Sequence, residues 1–163
     1  MFHGTLVGIY TASAAGEPMV AHTSIDAVRG SGLEGDRYAT GRGQFSGRPG
    51  TGREVTLIER EVIATVNGLD DVTLAEHEAR RNLVTEGVPL HHLVGRTFRV
   101  GAVVLRGCRL AEPCAYLAGL TQAGVSRALI HRGGLRAEIV EGGELHLGDP
   151  ITEVEDGAAA ARG

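Results

Sequence analysis

The sequence predicts a mainly β domain, a barrel with a few short helices outside it. Three observations carry that expectation. Glycine supplies 25 of the 163 residues, while aromatic residues make up only 4%. Apolar and polar residues alternate over short runs bounded by Gly, Asp and Pro, the period of half-buried strands. Stretches with helical spacing are few and short. A chain of this length buries a sizeable core as one domain. Residues 1–154 are therefore expected to form that domain, and the alanine-rich residues 155–163 a flexible, frayed tail.

In chain order, Thr5 to Thr11 reads as the first strand, Glu17-Pro18 as a turn, and Val20 to Val28 as a second strand. Gly30-Ser31-Gly32-Leu33-Glu34-Gly35-Asp36-Arg37 has turn chemistry throughout. Thr40 to Gly52 reads as a loop with five glycines and no acidic residue. Arg53 to Ile58 alternates as a strand, with Val55 and Leu57 on one face and Thr56 and Ile58 on the other. Glu59 to Val66 has helical spacing, and Asn67-Gly68 is its stop. Thr73 is placed to cap a second short helix that carries Glu76, with Leu74, Ala75 and Ala79 inward.

Arg80 to Thr85 reads as extended, and Thr97–Val100 with Ala102–Leu110 as a hairpin around Gly101. A short helix opens at Pro113, and Val125 to Ile130 makes a further helical turn ended by Gly133-Gly134. Leu135–Val140 and Glu144–Leu147 read as a late hairpin through Gly142-Gly143. Gly148-Asp149-Pro150 then turns into a final strand, Ile151 to Val154.

The charge balance narrows the function. A formal net charge of −4 carries no footprint for a nucleic-acid polymer, and no segment has the length of a membrane span. No basic and apolar leader is visible at Met1 to Thr5, and two cysteines make no disulfide framework, so a reducing, cytoplasmic setting is expected. The chain contains no lysine, and all 16 formal cations are arginines. Schiff-base chemistry on lysine and lysine-bearing phosphate loops are thereby excluded. Anions must be held by arginine forks, backbone N–H groups or neutral donors.

Cys114 is the leading candidate for chemistry. Proline is favoured at the first helical position, so Pro113 puts Cys114 in a first turn. The orphan N–H groups and the dipole there stabilise a thiolate, which is both nucleophile and soft metal ligand. The alternative is a small buried residue beside a turn. On an extended Arg80–Thr85, Arg80 and Asn82 share a face and offer a guanidinium fork beside an amide, unless that face is merely solvated. The glycine-rich loop carries Arg42 and Arg48 between Arg37 and Arg53, either as a cationic lid or as a solvated loop. His77, His91, His92 and His131 lack the spacing of a zinc site and are expected to be structural or exposed. Glu34 and Asp36 form a carboxylate pair, but an Asp in such a turn bonds its own backbone more often.

Several segments in order resemble a known family. They are Gly32 to Arg37, Arg53 to Ile58, Arg80 to Val88, Leu93 to Gly101, Glu112-Pro113-Cys114 and Gly148-Asp149. Together they look like the MOSC domain, named for the C-terminal domain of molybdenum cofactor sulfurases, with similarity from about Gly4 to Val154. The resemblance implies a β-barrel that binds molybdenum cofactor (molybdopterin), a pterin with a dithiolene and a phosphate. It implies that Cys114 is the metal's protein ligand or a persulfide carrier. Larger relatives fuse the domain to a pyridoxal-phosphate cysteine desulfurase or to an iron–sulfur module, and 163 residues hold neither. Without lysine, pyridoxal phosphate cannot form its internal aldimine here. In organisation the chain is most similar to small standalone bacterial members that reduce N-hydroxylated bases and amidoximes.

The residues meet the resemblance point by point. A soft thiolate suits molybdenum, and Arg80 with Asn82 suits the phosphate and ring edge, with Arg37, Arg53 and Thr85 next. The expected activity is a molybdenum-dependent oxidoreductase: Cys114 ligates the metal, a small N–OH substrate is reduced, and a separate reductase supplies electrons. The alternatives are a sulfur carrier loaded on Cys114 by a cysteine desulfurase and a non-catalytic cofactor-binding module; Cys108, a second thiol, either packs in its strand or resolves a persulfide or oxidised Cys114. A homodimer is compatible with each.

Overall fold

The computed structural model of the chain describes residues 2–40, 53–68, 73–111 and 133–154. Its strands are β1 (His3–Thr11), β2 (Val20–Ala21), β3 (Ser24–Val28), β4 (Gly32–Leu33), β5 (Val55–Glu59) and β6 (Leu83–Glu86). They continue with β7 (Thr97–Val100), β8 (Val103–Leu110), β9 (Leu135–Glu141), β10 (Gly143–His146) and β11 (Pro150–Glu153). One helix, α1 (Arg60–Asn67), and 3-10 turns at Glu76–Ala79 and Leu90–Leu93 complete the described elements.

Seven strands close a barrel in the order β11-β7-β8-β9-β5-β6-β1, with β1 returning to pair with β11. The mainly β expectation holds. All neighbours round the barrel are antiparallel except β5 and β6. That pair is parallel because the chain crosses between them through α1 and the Glu76–Ala79 turn. Alternation fills the interior with Leu6, Ile9, Val55, Leu57, Leu83, Phe98, Leu105 and Ile151. A second, smaller core lies outside the wall, where Ile63 and Val66 of α1 pack with Ile58, Val84, Leu74 and Ala79. The two faces anticipated for β5 are thus both buried, one in each core. An ion pair ties the crossover down: Arg60 Nε lies 2.7 Å from Glu76 Oε1, and the Tyr10 hydroxyl donates to Glu76 Oε2 at 3.0 Å.

Four local expectations are corrected. Val20–Val28 is two strands, because after β2 the His22 N–H donates to the Ile9 carbonyl (2.9 Å) and the chain then leaves the barrel. β3 instead joins β10 and β4 in a separate three-stranded sheet. The late hairpin is likewise absent: both edges of β9 are taken by β8 and β5, so β10 pairs with β3. Thr73 is not the cap of the second helical segment. That segment is a four-residue 3-10 turn with Ala75 at its cap, exposed rather than inward, its N–H donating to Glu78 Oε1 at 2.9 Å. Finally, only Leu83–Glu86 of the Arg80–Thr85 stretch is strand. Arg80 ends the 3-10 turn in the left-handed region, with φ 56° and ψ 36°. The Thr97–Val100 hairpin and the α1 helix stand as expected to within a residue.

Two glycines let backbones touch where the site is built. A Cβ at Gly107 would overlap the Leu93 carbonyl oxygen, and one at Gly134 (φ 106°) would overlap that of Leu57. The expectations for the Thr40–Gly52 loop, the helix at Pro113, the Val125–Ile130 turn, Arg42, Arg48, His131 and the 155–163 tail fall on residues outside those described, Thr40 excepted.

Candidate functional site

The turn after β4 buries Asp36 completely. Its Oδ1 accepts the Ala12 N–H (3.1 Å) and its Oδ2 the Tyr38 N–H (3.3 Å), the backbone role expected for this aspartate. With that anchor the turn directs Arg37 inward to 5% exposure. Arg37 Nη1 lies 3.4 Å from Asp36 Oδ1 and 3.3 Å from Met19 Sδ, and Nη2 donates to the Arg80 carbonyl at 3.3 Å. The guanidinium carbon sits 4.7 Å above the Tyr38 ring.

Arg80 is the residue on which Arg37 closes. It is 9% exposed, and its Nη1 donates to the Glu17 carbonyl at 2.7 Å. Among the described residues it is the one non-glycine with positive φ. That backbone choice breaks the alternation that would have put Arg80 and Asn82 on one strand face. Asn82 is fully buried and faces the wall instead. Its Oδ1 accepts the Thr56 N–H (3.1 Å) and hydroxyl (3.2 Å), and its Nδ2 donates to the Tyr10 carbonyl (3.1 Å). The Asn82 side chain therefore laces β1, β5 and the entry to β6 together. Thr85 is also fully buried, with its Oγ1 3.5 Å from the Ile58 carbonyl, inside the parallel pair.

Arg81, which spacing alone did not single out, occupies the most constructed position. Its Nε donates to the Gly133 carbonyl (2.7 Å) and its Nη2 to the Ala111 carbonyl (3.0 Å). Those are the residues that border the 112–132 stretch. The sequence signal was there in the Arg80-Arg81 pair, but nothing local reveals that the second fork reaches carbonyls 30 and 52 residues away.

Arg53 is partly buried where the chain enters β5, with contacts of its own. Gly32 brings the Arg37 turn against the Glu54 backbone beside it. Burial raises the Glu54 carboxyl above its ordinary range and nearby Glu138 adds to the rise, against the Ile139 and Gly30 backbone and Arg29. The structure thus joins Arg37 directly to Arg80, brings Arg53 near the same turn, and sets Asn82 and Thr85 behind them in the wall. Cys114 lies outside the described residues. Cys108 is partly exposed at a β-bulge of β8, its sulfur 3.6 Å from the Arg106 carbonyl. His77, His91 and His92 are exposed, and among the described residues no three metal-ligating side chains converge. No described helix is long and apolar enough to cross a membrane.

On the other side of Glu17–Met19 lies an open groove of ≈ 400 Å³, lined in part by Thr11, Glu17, His22 and Glu34. His22 Nε2 is 2.7 Å from the Thr11 hydroxyl. No sequence motif marks this groove.

Comparison with known proteins gives the same architecture. The YuaD protein of Bacillus subtilis superimposes with a TM-score of 0.72 at 17% identity, over 95% of this chain and 100% of that one. YiiM of Geobacillus stearothermophilus does so with 0.67 at 14% identity, over 96% of this chain and 78% of that one. YiiM of Escherichia coli gives 0.63 at 17% identity, over 95% and 70%. No curated protein sequence matches. The MOSC domain matches residues 39–152, more than half the sequence, and the chain belongs to the MOSC domain family.

Proposed function

We propose that this protein binds molybdenum cofactor and reduces N-hydroxylated substrates, amidoximes or N-hydroxylated bases, with Cys114 as the protein's ligand to molybdenum. One observation carries the reading. Arg37 and Arg80 meet at the Arg80 carbonyl and the adjacent Arg81 reaches the Ala111 carbonyl three residues before Cys114, all three arginines being no more than 9% exposed. Buried guanidinium groups are the donor set that a phosphate and a polar ring edge need, and a thiolate is the soft ligand that suits a metal already held by sulfur. The residues present fit the cofactor on that chemistry.

Arg37, Arg53 and Arg80 would hold its phosphate and ring. Asn82 and Thr85 stand in the wall beside them, the Asn82 amide bonded to Thr56 and Tyr10 and the Thr85 hydroxyl at the Ile58 carbonyl. When bound, the cofactor supplies two-electron chemistry for breaking an N–O bond, the overall change being N–OH plus two electrons and two protons to N–H plus water. The chain's own part is to present Cys114 deprotonated and to keep bulk water from the arginines. The electrons come from a separate reductase.

The test is to express the protein in a cofactor-competent host and measure molybdenum by elemental analysis. The expected result is about one metal per chain, abolished in Cys114→Ser. Folded protein without metal from such a host overturns the reading. A mass increase of about 32 Da confined to Cys114, one sulfur atom, would replace it with sulfur carriage.

A further inference from the structure

We infer that Arg136, with Arg109 facing it, forms an oxyanion subsite on the outer wall of the barrel, and that the substrates are N-hydroxylated compounds carrying a phosphate or a carboxylate. The inference rests on the reading above for the N–OH chemistry, while the subsite itself rests on strand register and burial. Leu135, Ala137 and Ile139 of β9 fill the barrel, so the alternating Arg136 and Glu138 point outward. The register sets Arg136 opposite Arg109 on β8 and opposite Thr56 on β5. Directly opposed residues share a face, with Cβ atoms about 4.5–5.5 Å apart. At the next outward position of β9 the charges are matched, Glu138 standing opposite Arg106. At Arg136 two guanidinium groups meet instead, an arrangement that costs stability until an anion joins them.

Arg136 is 9% exposed although it lies on the outer face of the wall, whereas Arg109 is exposed. Arg136 has contacts within the chain. A guanidinium fork has donors for an oxyanion besides, and one screened from water binds it more strongly than one in solvent. The pair also adjoins the arginines already described. Thr56 is bonded to Asn82, its Oγ1 lying 3.2 Å from Asn82 Oδ1 and accepting the Asn82 N–H at 3.0 Å. Arg81 donates to Gly133 and Ala111, at the ends of the two strands that carry Arg136 and Arg109. Arg37 and Arg80 already offer forks for the cofactor's phosphate, so a further pair at the same end has a different anion to hold. A neutral amidoxime gives that pair nothing to bind. One that bears a phosphate or a carboxylate does.

The experiment measures binding to the full-length protein by calorimetry, so no turnover enters. Two pairs of probes differ in one anionic group: adenosine monophosphate against adenosine, and para-carboxybenzamidoxime against benzamidoxime. The charged member of at least one pair is expected to bind about tenfold more tightly. Which pair shows the preference tells phosphate from carboxylate. Arg136→Gln should remove the preference and leave the affinity of the neutral member as it was. Arg136→Lys keeps the charge without the fork and should retain part of it. Arg109→Gln, at an exposed position, should weaken the preference about twofold to threefold. Circular dichroism and melting establish that each variant is folded; if Arg136→Gln is not, Arg109→Gln decides. Equal binding of the charged and neutral members in both pairs overturns the inference. So does a preference undiminished in the deciding variant, which would return the oxyanion to Arg37 and Arg80. Because binding is read rather than metal, a failure here is distinct from a failure to find molybdenum.

Discussion

The inside of the barrel and its arginine-bearing end are equally dry but differently held. The interior is filled by Leu6, Leu57, Leu83, Phe98 and their neighbours, whose attraction is non-directional and scales with the area removed from water. At the other end Asp36, Arg37, Arg80, Arg81 and Asn82 are each 9% exposed or less, and every one of them is held by directed hydrogen bonds. The bonds of Asn82 span 26 and 72 residues of sequence. Removing a methylene from the first region should therefore cost in proportion to volume. Removing one partner from the second leaves another buried and unsatisfied, a penalty unrelated to size.

The largest stability effect is expected where volume is greatest. Phe98→Ala should lower unfolding free energy by about 3–5 kcal/mol, read from denaturant midpoints with an unchanged slope. Asn82→Leu comes next although it roughly conserves volume. It strands the Thr56 N–H and the Tyr10 carbonyl, at about 2–3 kcal/mol for the pair. Asn82→Asp keeps the acceptor for Thr56 but sets a carboxylate against the Tyr10 carbonyl, so it should recover part of that loss only in acid, where the protonated carboxyl can donate. Equal behaviour of the leucine and aspartate variants in acid would erase the distinction between the two regions.

The same contrast explains what could be read beforehand. β5 was legible because Val55, Thr56, Leu57 and Ile58 carry a period of two, and both faces found an apolar core. β7 and β8 were legible because a glycine turn joins adjacent partners. The late hairpin was misread because alternation says that a segment is a strand but not which edge is vacant, and β9 had none. At the site, Arg37, Arg80 and Asn82 were legible as residue types, while their directions were not. One left-handed residue at Arg80 undid the strand parity, and the reach of Arg81 to Ala111 and Gly133 depends on strand order alone.

Arg80→Gly separates strain from ligand binding within the polar end. Glycine relieves the left-handed backbone, worth about 1 kcal/mol, but removes a buried guanidinium with its packed stem, its hydrogen bond to Glu17 and its further contacts. The melting temperature should fall less than in Arg80→Ala, which keeps the strained backbone, while molybdenum content after expression in a competent host should fall equally in both. A glycine variant that keeps its metal would make Arg80 a backbone fixture and nothing more.

The smallest effect is expected at the border between the regions, where Glu54 precedes the apolar run of β5. Its Oε2 accepts the Ile139 N–H at 3.1 Å, while its Oε1 is buried with no hydrogen-bond partner among the described residues. Burial raises its pKa in the folded state. Folding therefore favours the neutral acid. That contribution is complete below the carboxyl's unfolded pKa and is lost as pH rises through the higher folded value. Glu54→Gln keeps an oxygen for Ile139 and removes the buried charge, so it should raise the melting temperature slightly at neutral pH. The gain should vanish below about pH 4, where wild type is itself uncharged. Glu59 is a second case on the same strand: burial raises its carboxyl too, with Glu61 adding to the rise and His91, the Leu90 backbone and His92 opposing it. Glu59→Gln should likewise gain at neutral pH and lose that gain in acid. A gain at Glu54 that persisted in acid would assign the effect to packing and return that residue to the apolar side of the comparison.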